Sequence, residues 1–257
     1  MPEKASELNK ALNETKPQKK TSRKATKITV LVLSIILCTG VAVFTAALVI
    51  SHTSSLRASR EEYDNLRGLA GDIDMDDNSA GLSALDKEML QINPDYVAWL
   101  RIEGTNIDYP VVRGRDNEKY LDISFNGEES IAGAIFMDFR NSVESSPHII
   151  IYGHNARNGG MFTDLRNFLN PSFIEENRII TLIENDNHIN FEIFSARLTD
   201  IDDPAYFLDF SSPRNFVRFA NLIDAPITAT QILTLSTCTR AGNDDARIII
   251  QGHRVFD

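Results

Sequence analysis

A cysteine and an arginine stand at the adjoining ends of two apolar segments near the C-terminus. The run Ile-Leu-Thr-Leu-Ser-Thr-Cys ends on Cys238, and Arg247 opens the next run nine residues later. If the two segments are antiparallel strands, the loop between them places the guanidinium beside the thiol. Alternation along the first strand puts Thr234, Ser236 and Cys238 on one face and the leucines on the other. A thiol that shares its face with hydroxyls indicates a reactive site.

A histidine follows a third apolar run, Ile-Ile-Ile-Tyr-Gly-His-Asn, which ends near His154. Alternation puts Tyr152 and His154 on one face, and a glycine-rich loop follows. The chain has five histidines, and an isolated one is more often a surface or hydrogen-bonded residue than a catalyst. Because Cys238 and Arg247 also stand at strand ends, we favour an acid/base role for His154.

Several other kinds of chemistry are disfavoured by the sequence. Scattered histidines and one accessible cysteine provide no metal-ligand spacing, and no glycine-rich phosphate loop is present, so we expect no metal and no cofactor. Ser236 is a possible nucleophile, but the thiol two residues away on the same face is the better one. Residues 51–257 hold 18 basic and 33 acidic residues, a net charge of −15, and such a chain is a poor partner for nucleic acid.

The N-terminal region carries an uncharged apolar segment at residues 28–50. As a helix it spans roughly 34 Å, enough to cross the core of a bilayer. A cleaved signal peptide is the alternative, but its apolar core is usually shorter. Six basic residues lie between Lys16 and Lys27, and fewer follow the segment. The positive-inside rule then predicts a cytoplasmic basic tail at 1–27, most simply disordered, a membrane anchor at 28–50, and an extracellular remainder.

This topology bears on the two cysteines, which cannot form a bridge within one chain. Cys38 lies in the apolar segment and Cys238 outside it. A lone thiol in an exported domain is exposed to oxidation and is unexpected as mere packing. A small buried hydrophobic residue remains the alternative interpretation of Cys238.

The exported part divides into a helical linker region, 51–95, and a β-rich domain, 96–257. Helical spacing predicts helices over 55–70 and 82–92, with an acidic break at 71–81 that resembles a calcium loop but has Asp77 where glycine is needed. About eight short strands then follow without alternating helices, which predicts a closed or nearly closed β-barrel. Two helical insertions, 161–169 and 204–223, interrupt the barrel. The predicted strands are 97–102, 107–112, 133–137, 148–153, 179–183, 189–198, 231–237 and 247–255.

Together, Thr-Leu-Ser-Thr-Cys before an arginine-led strand and the upstream Tyr-Gly-His-Asn resemble the sortase family, and its class B branch in particular. The resemblance runs from about Asn93 to Val255 and includes the segments at 117–121 and 133–141. It implies an eight-stranded sortase-type β-barrel with N-terminal helices and a helical insertion before the cysteine strand, behind one transmembrane helix.

The resemblance also implies roles for individual residues. Cys238 is the expected nucleophile, His154 the acid/base, and Arg247 the group that positions the substrate or its oxyanion. The expected substrate-binding residues of the sorting-signal groove are Asn117, Leu121, Tyr152, Ser236, Tyr206 and Phe207.

Sortases are membrane-anchored cysteine transpeptidases of Gram-positive bacteria. The implied partners are surface proteins with a C-terminal sorting signal, cleaved at a threonine, and a peptidoglycan precursor or other cell-wall amine. Three alternatives remain open at this point: a secreted cysteine peptidase that uses water, a pilin-polymerising sortase, and a non-catalytic membrane-tethered barrel.

Overall fold

The structure, a computed structural model, describes residues 19–72, 83–156, 159–238 and 245–256 of the chain. It divides into two compact units, Met1–Thr53 and Ser54–Asp257. The acidic stretch 73–82, where the calcium-like spacing falls, lies outside the described residues.

The first helix, α1 (Lys19–Asp72), begins well before the apolar segment. Its stretch Thr26–Gly71 is long and apolar enough to cross a membrane, and its most apolar window is not buried by protein. Side chains such as Leu37 and Val43 are about 70% exposed, as expected of a helix that faces lipid. Residues 19–27 are helical here, whereas the sequence predicts disorder. Extending a helix that has already formed costs far less free energy than starting one, so the helix of the apolar segment continues into the residues that precede it.

The second unit is built on a closed barrel of eight strands. The strands follow one another around the barrel in the order β1-β2-β3-β4-β7-β8-β6-β5. The β2–β3 and β4–β7 pairs are parallel, and the other pairs are antiparallel. Each strand matches one of the eight predicted segments, so the predicted barrel is confirmed. Their bounds are β1 (Tyr96–Arg101), β2 (Asp108–Val112), β3 (Ile135–Met137), β4 (His148–Tyr152), β5 (Ile179–Glu184), β6 (Asn187–Thr199), β7 (Ile232–Cys238) and β8 (Arg247–Val255).

The central strand β7 is buried on both faces, and the two faces pack against different layers. Leu233 and Leu235 join the main core inside the barrel, which also holds the one tryptophan, Trp99. Ile232, on the other face, belongs to a small cluster with Phe219 and Ile223 of the β6–β7 connection. The face that carries Thr234 and Ser236 is therefore covered by that connection rather than by solvent.

The helices outside the barrel differ in part from the prediction. Residues Phe162–Leu169 form a 3₁₀ helix, η2, followed by the short helix α3 (Pro171–Glu176). The insertion predicted as one helix over 204–223 divides into a 3₁₀ turn, η3 (Pro204–Tyr206), and the helix α4 (Pro213–Leu222). Pro213 explains the interruption, because a proline forces the preceding residue out of the helical region, and Ser212 is extended with φ −146° and ψ 153°.

Two N-terminal helical segments pack against the barrel within the second unit. Tyr63 and Leu66 of α1 are buried in the main core, and the Tyr63 hydroxyl donates to the Gly133 carbonyl at 3.1 Å. The helix α2 (Ala84–Ile92) begins at Ser83, whose side chain accepts from the Asp86 backbone, and it buries Leu85 and Met89. A further 3₁₀ turn, η1 (Lys119–Leu121), lies between β2 and β3.

Candidate active site

The ends of β7 and β8 bring Cys238 and Arg247 together. The two strands are antiparallel, and their register pairs Cys238 with Arg247. Residues 239–244 lie outside the described part of the chain, as does the Cys238 side chain, so the cysteine is placed by its backbone. One guanidinium nitrogen of Arg247 donates to the Ala246 carbonyl at 3.1 Å. The expected juxtaposition of the two strand ends is present.

The end of β4 brings His154 to the same place. Strand β4 runs parallel to β7 with Tyr152 opposite Ser236, and the Gly153 amide donates to the Ser236 carbonyl at 3.2 Å. His154 follows this pair by two residues and lines the same cavity as Arg247. Glycine is required at 153, because a Cβ there would lie 2.4 Å from a methyl of Ile135 and 2.9 Å from the Phe162 ring.

The imidazole of His154 is oriented by a backbone carbonyl. Its Nε2 lies 2.7 Å from the Leu121 oxygen. A carbonyl oxygen only accepts hydrogen bonds, so Nε2 carries the hydrogen in this contact. The remaining nitrogen, Nδ1, is then the one that can exchange a proton during a reaction. Leu121, expected from the sequence as a groove residue, thus also orients the expected acid/base.

A cavity of about 310 Å³ lies between these elements. Seven of the nine residues expected for catalysis and binding line this cavity. Phe207 does not line it, and the Cys238 side chain lies outside the described part of the chain. Four lining residues were missed by sequence reasoning: Phe136, Gly153, Ile201 and Thr237. Two larger cavities, of about 780 and 440 Å³, contain none of Cys238, His154 or Arg247 among their described lining residues. The expected residues that line the 310 Å³ cavity are Asn117, Leu121, Tyr152, His154, Tyr206, Ser236 and Arg247.

Ile201 and Thr237 carried no usable signal in the sequence. Ile201 lies in an irregular loop after β6 and is half exposed despite being apolar. Thr237 lies on the strand face opposite the cysteine, and the alternation pattern predicts a reactive site only on the face of Ser236 and Cys238. Its buried hydroxyl has no hydrogen-bond partner among the described residues.

Tyr206 reaches the site through the β6–β7 connection. Its hydroxyl lies 2.8 Å from the Ser236 hydroxyl. The 3₁₀ turn that carries Tyr206 is capped by Asp203, which accepts from the Ala205 amide at 2.7 Å and from Arg197 at 2.8 Å. The side chains of Tyr206 and Ser236 therefore form one wall of the cavity.

Phe207 points to a different environment. Its ring packs against Phe210 and Phe219, with centroids 5.4 and 6.3 Å away. Its carbonyl lies 3.0 Å from Nδ1 of His148, a fully buried histidine whose Nε2 lies 2.8 Å from the Thr234 hydroxyl. Phe207 thus lines the larger cavity of about 780 Å³ instead, and its backbone carbonyl fastens the connection to the barrel.

Asn117 and Tyr152 meet at the part of the cavity lining that adjoins Ser236, where both donate to the Asp138 carboxylate. Asn117 Nδ2 lies 2.8 Å and the Tyr152 hydroxyl 3.2 Å from Asp138 Oδ2. Burial, together with the nearby negative charge of Asp138, raises the pKa of Tyr152 above its ordinary value. The phenol therefore stays neutral and acts as a donor.

No group of three or more histidine, cysteine, aspartate or glutamate side chains in the described residues is arranged to hold a metal ion. The chemistry that this arrangement supports is that of a cysteine nucleophile with an adjacent imidazole and guanidinium.

Comparisons with known proteins identify relatives of the whole β-domain. The family model described as Sortase domain matches residues 100–255. Sortase B of Staphylococcus aureus is 33% identical over 170 residues, which cover 62% of this chain and 70% of that protein. The crystal structure of Clostridium perfringens sortase B is 34% identical, with a TM-score of 0.62, and covers 66% of this chain and 100% of its own. A Staphylococcus aureus sortase B–substrate complex has a TM-score of 0.66 at 28% identity, covering 77% and 97% of the two chains.

Proposed function

The chain belongs to the class B branch of the sortase family, whose members are transpeptidases, and from that membership we propose that Cys238, His154 and Arg247 are its catalytic residues. The observation that carries the proposal is the register of three neighbouring strands. It pairs Cys238 with Arg247 and Tyr152 with Ser236, so the three side chains originate from adjoining strand ends.

The reaction begins when the Cys238 thiol gives its proton to Nδ1 of His154, which leaves a thiolate beside an imidazolium. A free thiol has a pKa near 8.5, and nearby positive charge lowers it. The sulfur attacks the carbonyl carbon of a threonine in the sorting signal, and Arg247 donates to the oxyanion that forms. The C–N bond to the next residue then breaks, and His154 protonates the departing amine through Nδ1. The product is a thioester between Cys238 and the substrate.

A second amine completes the transfer. Its nitrogen attacks the thioester carbonyl, His154 takes the proton, and the thiolate leaves as the new amide forms. We assign this acceptor to a cell-wall amine, such as that of a peptidoglycan precursor. The donors are surface proteins that carry a C-terminal sorting signal.

Binding of the signal is assigned to the cavity next to the catalytic residues. Asn117, Leu121, Tyr152, Tyr206 and Ser236 supply its walls. Phe207 acts from outside the cavity, because its backbone carbonyl anchors the segment that carries Tyr206. A sortase B–substrate complex from Staphylococcus aureus, similar over 77% of this chain, supports substrate binding by this fold.

The same proposal extends to organisation and location. Residues 1–27 form a cytoplasmic basic tail, 28–50 the membrane anchor, 51–95 an extracytoplasmic helical linker, and 96–257 the catalytic barrel. The apolar helix supports the anchor, and the excess of lysine and arginine before it supports a cytoplasmic N-terminus. The barrel then faces the cell wall, where its donors and acceptors are found.

The test uses the full chain in detergent micelles and a peptide library with one fixed threonine, read by mass spectrometry with and without added amine. We expect cleavage after the threonine and, with amine, a ligated product. Cys238→Ala should lose cleavage by at least a thousandfold without loss of folding, since no disulfide is removed. The matched control is Cys38→Ala, which replaces the other cysteine and should retain full activity.

Different outcomes would assign the protein differently. Hydrolysis that added amine does not divert would indicate a peptidase that uses water. Ligation only to a lysine side chain of a partner protein would indicate pilin polymerisation. Retained turnover in Cys238→Ala would remove the cysteine from the mechanism, and binding without cleavage would indicate a non-catalytic barrel.

A further inference from the structure

A buried carboxylate, Asp138, lies directly behind the cavity wall. It follows strand β3 and its side chain is fully buried. Arg140 holds it from two sides, with Nε 2.8 Å from Oδ1 and a terminal nitrogen 2.8 Å from Oδ2. Burial by itself would raise the pKa of Asp138, but the hydrogen bonds from Arg140 and Asn117 outweigh it, and the pKa lies below its ordinary value. Asp138 is therefore a permanent acceptor.

This acceptor determines which way the Asn117 amide points. Asn117 Nδ2 donates to Asp138, and Oδ1 accepts from the Phe139 backbone amide at 3.0 Å. Turning the amide over would lose both hydrogen bonds and would place its oxygen against the carboxylate. The side chain thus has one orientation, in which the second N–H of Nδ2, beyond the one given to Asp138, is left for a ligand in the cavity.

The same carboxylate also accepts a hydrogen bond from the hydroxyl of Tyr152. The phenol donates its only hydrogen to Asp138, so the tyrosine offers its ring to the cavity. That ring packs beside Phe136, with centroids 5.3 Å apart. The wall formed by Asn117, Tyr152 and Phe136 therefore presents one directed N–H donor in an otherwise aromatic surface.

We propose that Asp138 is a positioning residue that orients Asn117 as a hydrogen-bond donor, so that this wall selects a hydrogen-bond acceptor, such as a carbonyl oxygen, of the bound peptide. The proposal rests on the proposed function of the cavity as the sorting-signal site. It assigns Asp138 to peptide binding and not to the chemical step, because Asp138 contacts neither Cys238, His154 nor Arg247 in the described contacts.

Peptide binding provides the first test. The full chain in detergent micelles, with Cys238→Ala to prevent turnover, is titrated with the peptide that the wild type cleaves best from the threonine library. Asp138→Asn should weaken binding about 10-fold, since it frees Asn117 to turn and weakens one donated hydrogen bond. Asp108→Asn is the matched control: this carboxylate also pairs with an arginine, Arg101 at 2.9 Å, but lies outside the cavity lining, so binding should not change.

A double variant separates orientation from simple stabilisation. In Asn117→Asp combined with Asp138→Asn, the two side chains can hydrogen-bond again with the donor and acceptor exchanged. The contact between positions 117 and 138 is restored, although Arg140 and Tyr152 lose the oxygen Oδ2, and the cavity meets a carboxylate oxygen instead of an N–H. We expect binding at least as weak as in Asp138→Asn, and wild-type affinity in this variant would overturn the proposal. The double variant also carries the test if Asp138→Asn alone does not fold.

Kinetics with Cys238 present provide the final distinction. Asp138→Asn should raise KM about 10-fold, leave kcat within threefold, and leave the pH profile of Cys238 alkylation unchanged. A fall in kcat at unchanged KM, or unchanged peptide binding in folded Asp138→Asn, would overturn the assignment. Failure of the proposed function shows up separately, as a lack of amine-dependent product when Asp138 is intact.

Discussion

At the scale of single residues, the proposed role of Arg247 can rest on the shape of its side chain or on its charge alone. Its guanidinium is planar and stays charged, whereas a lysine offers a point charge on a differently shaped stem. Strand pairing sets Arg247 opposite Cys238. From this position Arg247 can donate directional hydrogen bonds to the oxyanion, or its charge can lower the pKa of the thiol. The two roles predict different effects of Arg247→Lys on peptide cleavage and on Cys238 alkylation.

We predict that Arg247→Lys loses about 10²–10³ in turnover, the usual result of removing one oxyanion donor. The rate of Cys238 alkylation as a function of pH should barely change, because a positive charge remains. Peptide cleavage and alkylation are measured side by side in wild type and variant. A parallel loss of both would show that Arg247 mainly tunes the thiol, and near-normal cleavage would remove it from the catalytic set.

At the scale of elements, His148 fastens the β6–β7 connection onto strands β4 and β7. Its Nδ1 donates to the Phe207 carbonyl, and its Nε2 accepts from the Thr234 hydroxyl. Thr234 in turn accepts from Gln251, whose oxygen accepts from Arg197 at 2.7 Å. Each donor in this buried chain of hydrogen bonds has an acceptor only while His148 is neutral, because a protonated Nε2 could no longer accept from the Thr234 hydroxyl. Tyr206, a residue of the cavity wall, is carried by the connection that these hydrogen bonds hold.

Burial lowers the pKa of His148 from 6.5 to about 4, although the hydrogen bond to Phe207 opposes the change. The unfolded chain therefore binds this proton more readily. The stability that neutral His148 contributes is complete above pH 6.5 and is lost as the pH falls from 6.5 towards 4. The loss is about 3 kcal/mol in total, of which about 2 kcal/mol is lost by pH 5.

Urea unfolding at pH 7 and pH 5 measures this loss. Trp99 is the one tryptophan of the chain and is fully buried in the barrel, so its fluorescence reports on this domain. His148→Asn should be less stable at pH 7 but should show a dependence on pH weaker by about 2 kcal/mol than the wild type. His188→Asn, an exposed residue near the start of β6, is the control and should follow the wild type. An equal dependence in all three proteins would contradict the assignment to His148.

At the scale of the whole molecule, the barrel does not depend on the apolar segment for its core. All residues of the main core lie between Tyr63 and Ile250, within the second compact unit. We predict that a chain starting near Ser51 is soluble, monomeric and active on peptides. Gel filtration and the peptide assay, compared with the full chain in detergent, check this. Aggregation under mild conditions would instead indicate that the N-terminal helices need the membrane.

Much of this architecture is visible in the sequence because it follows from local patterns. Each of the eight strands produces its own run of apolar residues, and the N-terminal apolar segment is distinguished by length and lack of charge. Cys238, His154 and Arg247 are likewise recognisable, since each stands at the end of such a run. These features depend on neighbours a few residues away.

The remaining features depend on residues that are distant along the chain and meet only in the folded protein. The contact of His154 with Leu121 spans 33 residues, and that of Asn117 with Asp138 spans 21. Ile201 reaches the cavity from an irregular loop, and Phe207 lies outside it because of the path of the connection beyond Tyr206. Local pattern determines which residues form strands and which strands end in reactive groups. Only barrel closure and the buried hydrogen bonds decide which side chains face the cavity and whether they donate or accept there, because an unpaired buried polar group is costly and its partner is chosen by tertiary contact.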